Sequence, residues 1–201
     1  MPSLLYLHGF NSSPASKKAR QLVRACERLG IAEQLRVPAL HHHPRQAIAQ
    51  CEQAIAELGA PLLIGSSLGG YYATHLAERH GLKALLINPA VLPHTRFDGY
   101  LGAQQNLYSG ETWQLTHEHI QALAELEVAP PQDPQRFQVW LQTGDETLDY
   151  RQAQAWYRAC ALRIQPGGDH SYQGFSQQLP ALFAFAGFAS SLWRDHDFSD
   201  L

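Results

Sequence analysis

Gly65-Ser66-Ser67-Leu68-Gly69 has the spacing G-x-S-x-G, which puts a serine on a sharp strand-to-helix turn. The turn needs small residues two before and two after the serine. It exposes the hydroxyl at a helix N-terminus, where the dipole favours developing negative charge. A chance match in a chain of this composition is expected about 0.07 times, so the surroundings must support it. They do, since an apolar run precedes the pattern and a helical one follows it. Adjacent Ser66 is off-centre, and the glycine spacing selects Ser67 as the candidate nucleophile. A serine of this kind needs a base, an orienting acid and donors for an oxyanion. His170, in Gly167-Gly168-Asp169-His170-Ser171, is the candidate base. Thr143-Gly144-Asp145-Glu146-Thr147-Leu148-Asp149 offers Asp145 as the first candidate acid and Asp149 as the alternative, which could instead cap a helix. Asp169 lies too near His170 in sequence to face its ring. Leu7-His8-Gly9-Phe10-Asn11 offers the Phe10 N–H as one oxyanion donor, with Asn11 behind it, and Leu68 N–H is the other. His8 is read as a loop-supporting side chain. The order serine, acid, histidine is the chain order of this geometry.

Apolar runs alternate with helical patterns and would position these groups. Strands are expected at Leu4–Leu7, Leu35–Leu40, Leu62–Ile64, Ala84–Ile87, Phe137–Leu141 and Ala161–Ile164. Helices are expected over Ala15–Leu29, from Pro44 to the stop at Gly59, and over Leu68–His80, Tyr150–Ala159 and Gly174–Phe185. This alternation implies βαβ units and a mainly parallel sheet of about six strands with helices on both faces. In such sheets the chemistry sits beyond the C-terminal strand ends, where all four stretches fall. Residues from about 90 to 135 break the alternation with prolines, aromatic residues and one helical stretch near Thr116–Leu126. They read as a lid insertion in a single domain, residues 1–188, with 189–201 a polar, mobile tail.

With 201 residues, 45% hydrophobic and 16% charged, the chain is neither disordered nor long enough to make two full domains the expectation. Its net charge of −3 gives no basic field for nucleic acid. No apolar run approaches the roughly 18 residues of a membrane span. Cys26, Cys51 and Cys160 make no closed disulfide set, and Met1-Pro2-Ser3-Leu4 has no basic leader region. The expected location is therefore cytoplasmic.

The chain resembles the small bacterial α/β-hydrolase esterases of the YqiA type. The resemblance rests on Leu5-Tyr6-Leu7-His8-Gly9-Phe10-Asn11-Ser12-Ser13-Pro14, on Gly65–Thr74, on Asn88-Pro89-Ala90-Val91, on Tyr100-Leu101-Gly102 and on Thr143–Glu146 with Leu148–Arg151. It extends to about Phe188. It implies an α/β-hydrolase fold, esterase activity on short acyl esters with acyl-CoA thioesters as the alternative, and Ser67, Asp145 and His170 as the triad. Where that family's histidine loop has asparagine, this chain has Asp169, a departure that bears on the pH optimum rather than on the triad.

Other patterns carry less. His41-His42-His43 on an extended loop point in different directions and suit no single metal ion, so no metal is expected. Cys26 and Cys51 lie on apolar helix faces. Tyr71, Tyr100 and Trp113 are candidates for the substrate pocket, with an aromatic core under the lid as the plain alternative. Lys17, Lys18 and Arg20 form the one small basic cluster, read as a solvated helix face or a contact for CoA phosphates. The expectation is a cofactor-free serine esterase acting on a small-molecule ester or thioester through an acyl-enzyme. A hydrolase-fold binding protein is the alternative of another class. Acyl length and oligomeric state are not legible here.

Overall fold

The computed structural model describes residues 1–201. Strand β1 (Leu4–Leu7) is wholly buried and leads through a loop into helix α1 (Lys17–Arg28). Strand β2 (Leu35–Arg36) is followed by helix α2 (Pro44–Leu58), which starts on its proline and ends at Gly59. Strand β3 (Leu62–Ser66) enters helix α3 (Leu68–His80), and strand β4 (Ala84–Ile87) opens the insertion. Within the insertion, strands β5 (Gly102–Gln105) and β6 (Thr112–Leu115) pair antiparallel ahead of helix α4 (His117–Ala124). Then come strand β7 (Phe137–Gln142), helix α5 (Tyr150–Trp156), strand β8 (Ala161–Gln165), helix α6 (Leu179–Ala186) and the short helix α7 (Ser190–Trp193).

The six-stranded sheet has the order β2-β1-β3-β4-β7-β8, and all its pairs are parallel. Its central strands are near-continuous apolar runs because both faces are covered. Leu5, Leu7, Leu63, Leu86 and Val139 face one layer with α2 and α3. Leu4, Tyr6, Ile64, Ile87 and Trp140 face the other, with α1 and α6. The chain goes from β1 out to β2, then returns to the other side of β1 for β3. This reversal opens a crevice between the C-terminal ends of β1 and β3, where open α/β sheets hold ligands.

Several boundaries differ from expectation. The strand expected over Leu35–Leu40 stops at Arg36, because Pro38 has no N–H to extend the ladder at this sheet edge. The helix expected over Gly174–Phe185 begins at Leu179, after a 3₁₀ turn over Ser176–Gln178, since Gly174 is left-handed (φ 73°). The helix from Tyr150 ends at Trp156, where the chain turns and Cys160 N–H bonds to Tyr157 O. The tail expected to be mobile packs back on the body. Phe198 is 2% exposed against Phe183, Arg28 makes two 2.8 Å bonds to the Asp200 carboxylate, and Gln21 Nε2 donates to Leu201 O. Its composition is polar, but Leu192, Trp193, Phe198 and Leu201 pack on the core and the hydrogen bonds from Arg28 and Gln21 tie down its end. No helix is long and apolar enough to cross a membrane.

Candidate active site

Ser67 stands between β3 and α3 with φ 55° and ψ −122°, a conformation rare for a residue with a side chain. The close packing around it explains both flanking glycines. A Cβ at Gly65 would lie 2.3 Å from Gly69 O, and one at Gly69 would lie 2.1 Å from Leu7 O. The turn is held from outside by Ser67 N–H on Ile87 O and by Ala90 N–H on Ser67 O. Leu68 occupies the first position of α3, where an N–H has no partner within the helix.

His170 reaches this turn from the loop after β8. Its Nε2 is 3.0 Å from Ser67 Oγ, and its Nδ1 is 2.9 and 2.8 Å from the two oxygens of Asp145. The Asp145 side chain is 1% exposed, that of His170 23%. Asp145 Oδ1 also accepts the N–H groups of Thr147 and Leu148, which fix the carboxylate in its loop. Of the two acids left open by the sequence, Asp145 meets the histidine. Asp149 caps α5, accepting Arg151 N–H and pairing with its guanidinium, which holds its carboxyl below the usual range. The Asp169 carboxylate turns to Ser171 and Gln173, whose hydrogen bonds lower its pKa.

The loop after β1 approaches Ser67 through Gly9, where a Cβ would lie 3.6 Å from Ser67 Oγ. Phe10 and Asn11 follow. His8 is a support, as expected: one ring nitrogen contacts Gly9 O and the other accepts Leu40 N–H, and burial pushes its pKa down. The loop is braced by the β5–β6 hairpin, a contact with no sequence signal. Asn11 Oδ1 accepts from Trp113 Nε1 at 2.9 Å, Asn11 Nδ2 donates to Gln104, and Leu107 N–H bonds to Asn11 O. The Phe10 ring meets Phe97, Tyr100 and Trp113 edge to face.

Beside Phe10 and Leu68 lies a cavity of about 250 Å³ whose walls include Leu40, His42, Tyr72 and Trp113. Two pocket candidates need correction. Tyr71 turns away, its hydroxyl donating to Leu123 O, so Tyr72 is the tyrosine on the wall. Tyr100 is 52% exposed and packs outside the cavity on Phe10 and Phe97. Trp113 lines the cavity and stacks on His42 at 4.5 Å, and His42 Nδ1 is 3.2 Å from His119 Nε2. The histidine run thus joins the loop before α2 to the insertion, and no three His, Cys, Asp or Glu side chains are grouped to hold a metal. Burial lowers the pKa of both His42 and His119. Lys18 also departs from both expected roles. Its ammonium donates to Ser171 O at 2.7 Å, and burial pushes its pKa down to about 8 against the pull of Asp169 and Asp145.

The sheet, the serine turn at β3 and the loop geometry define an α/β-hydrolase fold. Solved structures agree on that fold. Ferulic-acid-bound Est1E of Butyrivibrio proteoclasticus has a TM-score of 0.67 at 14% identity, over 92% of this chain and 88% of that one. Mouse alpha/beta hydrolase domain-containing protein 10 has 0.66 at 15%, over 92% and 88%. The chain belongs to the family UPF0227, described as an uncharacterised protein family, whose model matches residues 3–187. A UPF0227 protein of Shewanella woodyi is 27% identical over 192 residues, covering 90% of this chain and 98% of its own. The YqiA-type resemblance seen in the sequence falls in this same family.

Proposed function

We propose that the protein is a serine esterase acting on short-chain carboxylic esters. Ser67 Oγ attacks the ester carbonyl while its proton passes to His170 Nε2. Asp145 holds Nδ1–H and stabilises the imidazolium. The N–H groups of Phe10 and Leu68 receive the oxyanion. As the tetrahedral intermediate collapses, His170 returns the proton to the departing alcohol. A water then gives its proton to the same nitrogen as it attacks the acyl-enzyme, and when the second tetrahedral intermediate collapses His170 returns that proton to Ser67 Oγ, releasing the acid.

The observation that carries this reading is the unbroken line from Ser67 Oγ through His170 to Asp145, at 3.0 and 2.8 Å, beside the crevice between β1 and β3. The 250 Å³ cavity supports a small substrate half, since pockets for drug-sized ligands run from about 300 to 1,000 Å³. The esterase named among the structural neighbours agrees in fold. The test is a p-nitrophenyl ester series from acetate to palmitate, run on wild type and Ser67→Ala. Turnover should peak at short chains and fall about 10⁴-fold or more in the variant, which stays folded. Near-full activity in Ser67→Ala would remove the assignment.

A further inference from the structure

The loop that carries His170 has little regular backbone pairing of its own. Gly144 N–H bonds to Gly167 O at 2.8 Å, and Tyr172 N–H bonds within the loop to Asp169 O. Most of its remaining polar groups end on two buried side-chain amides. Asn88 follows β4 with φ 41° and is 2% exposed. Its Nδ2 donates to Asp169 O at 3.1 Å and to His170 O at 3.3 Å, and its Oδ1 accepts Gln142 N–H at 3.0 Å. Gln142 ends β7 and is 3% exposed. Its Oε1 accepts Asp169 N–H at 3.1 Å and Gln173 N–H at 2.8 Å. Its Nε2 donates to Gln173 O at 2.8 Å and to Gln165 Oε1 at 3.0 Å. Both amide orientations are dictated by these partners, because each oxygen faces only N–H groups and each nitrogen only oxygens.

We propose that Asn88 and Gln142 are a pair of positioning residues that set the reach of His170 towards Ser67. The proposal rests on the serine-esterase reading of the site. Neither side chain hydrogen-bonds to Ser67, to Asp145 or to the imidazole. They hold the backbone on both sides of the His170 side chain, at Asp169, His170 and Gln173, and they hold each other through the bond from Gln142 N–H to Asn88. They stand at the ends of neighbouring central strands, β4 and β7, so the histidine loop is referenced to the same sheet that carries Ser67 on β3. The loop is pressed close onto them. A Cβ at Gly168, which is left-handed (φ +73°), would lie 1.9 Å from Gln142 Oε1. Lys18 and Glu146 add one bond each from less buried positions, to Ser171 O and from His170 N–H. A fraction of an ångström at the loop backbone becomes a change in the 3.0 Å separation of Nε2 from Oγ. Proton transfer is sensitive to that separation. Neither amide lines the cavity beside Phe10 and Leu68.

The test uses the full chain with three variants: Asn88→Asp, Gln142→Met and Gln142→Glu. Steady-state hydrolysis of a short p-nitrophenyl ester is measured beside the rate and final extent of labelling by a fluorophosphonate. Asn88→Asp and Gln142→Met should lower kcat about 10- to 100-fold with KM within about twofold. Labelling should still reach one group per chain, slowed by the same factor as kcat. Gln142→Glu keeps an acceptor for Asp169 N–H and Gln173 N–H and should recover part of the rate lost in Gln142→Met. A lower final extent at an unchanged rate would mean that only the folded fraction had fallen, and would overturn the proposal. Unchanged kcat in all three would overturn it too. If Asn88→Asp does not fold, the two Gln142 variants decide. Wild type that neither labels nor turns over would remove the esterase reading itself, and the proposal with it. Labelled wild type with unaffected variants removes the proposal alone.

Discussion

Asp145 and Asp149 share one short loop, and their surroundings give them different work. Asp145 is buried on His170, whereas Asp149 starts α5 and pairs with Arg151. Asp145→Asn should therefore lower kcat about 10³- to 10⁴-fold with KM little changed, by spoiling the tautomer and charge stabilisation of the histidine. Asp149→Ala should lower the melting temperature through the lost cap and leave kcat near that of wild type. Kinetics and thermal melts of the two variants check this, and a reversed ranking would move the acid. His8 makes a separate claim. Buried and neutral, it uses both ring nitrogens, and its folded pKa lies below the ordinary 6.5. Between those two values the unfolded chain binds more protons than the folded one. Stability should thus be full above about 6.5 and fall as the pH drops below it. His42, His75 and His119 are shifted the same way, so His8→Asn should remove only part of this acid slope in urea titrations. Residue types and spacing made Ser67, His170 and the pair of acids legible. The choice of acid was not, because the two stand four positions apart on one loop that can direct either side chain to the histidine. Asn88 and Gln142 were invisible as supports, since a polar residue at a strand end carries no mark of its partners. Tyr71 and Tyr72 are adjacent on one helix, and only tertiary packing decides which faces the cavity.

At the scale of elements, the serine turn depends on backbone approaching backbone. Gly69→Ala would drive a Cβ into the carbonyls of Leu7 and His8, whereas Gly99→Ala meets nothing within 4 Å. The first should cost more than the ~1–3 kcal/mol of ordinary overpacking because backbone cannot rotate away, and the second should be near neutral. Differential melting of the two variants reads this out. The helices over Pro44–Leu58 and Leu68–His80 and the strand Ala84–Ile87 match the expected bounds, because start and stop residues coincide with the apolar period. The β5–β6 hairpin has little signal in the sequence. Gly102-Ala103-Gln104-Gln105 has no alternation of apolar residues, and its partner strand contributes only Trp113 and Leu115 to burial. What fixes the hairpin is distant in sequence, the bonds to Asn11 and the packing on Phe10.

Across the whole molecule, α1 joins the site to the terminal segment, which it holds at both Gln21 and Arg28. Lys18 near its start touches the histidine loop, and Arg28 at its end holds Asp200. Lys18 and Arg28 are ten residues apart, about 15 Å along the helix axis, while Gln21, which donates to Leu201 O, is one turn from Lys18. The terminal segment buries Phe198 on Phe183, on the face of the sheet covered by α6. Deleting residues 189–201 should cost at least the roughly 2–3 kcal/mol of burying Phe198, since Leu192, Trp193 and Leu201 pack on the same core and the exposed ion pair adds little. The kcat/KM of the folded fraction should stay within about twofold of wild type. Denaturation and kinetics on the truncated chain check both statements. The parallel architecture was legible because six apolar runs alternate with helices. The docking of the tail was not, since the same polar composition suits a free segment.

The central claim is that Ser67 is an activated nucleophile. It is tested most directly by reacting the wild-type protein with a fluorophosphonate and locating the adduct by peptide mass spectrometry. A single adduct on Ser67, with Ser66 unmodified and no adduct in either Ser67→Ala or His170→Ala on the same timescale, is the predicted result. An unreactive wild type, or an adduct on Ser66 or elsewhere that persists in Ser67→Ala, would contradict it.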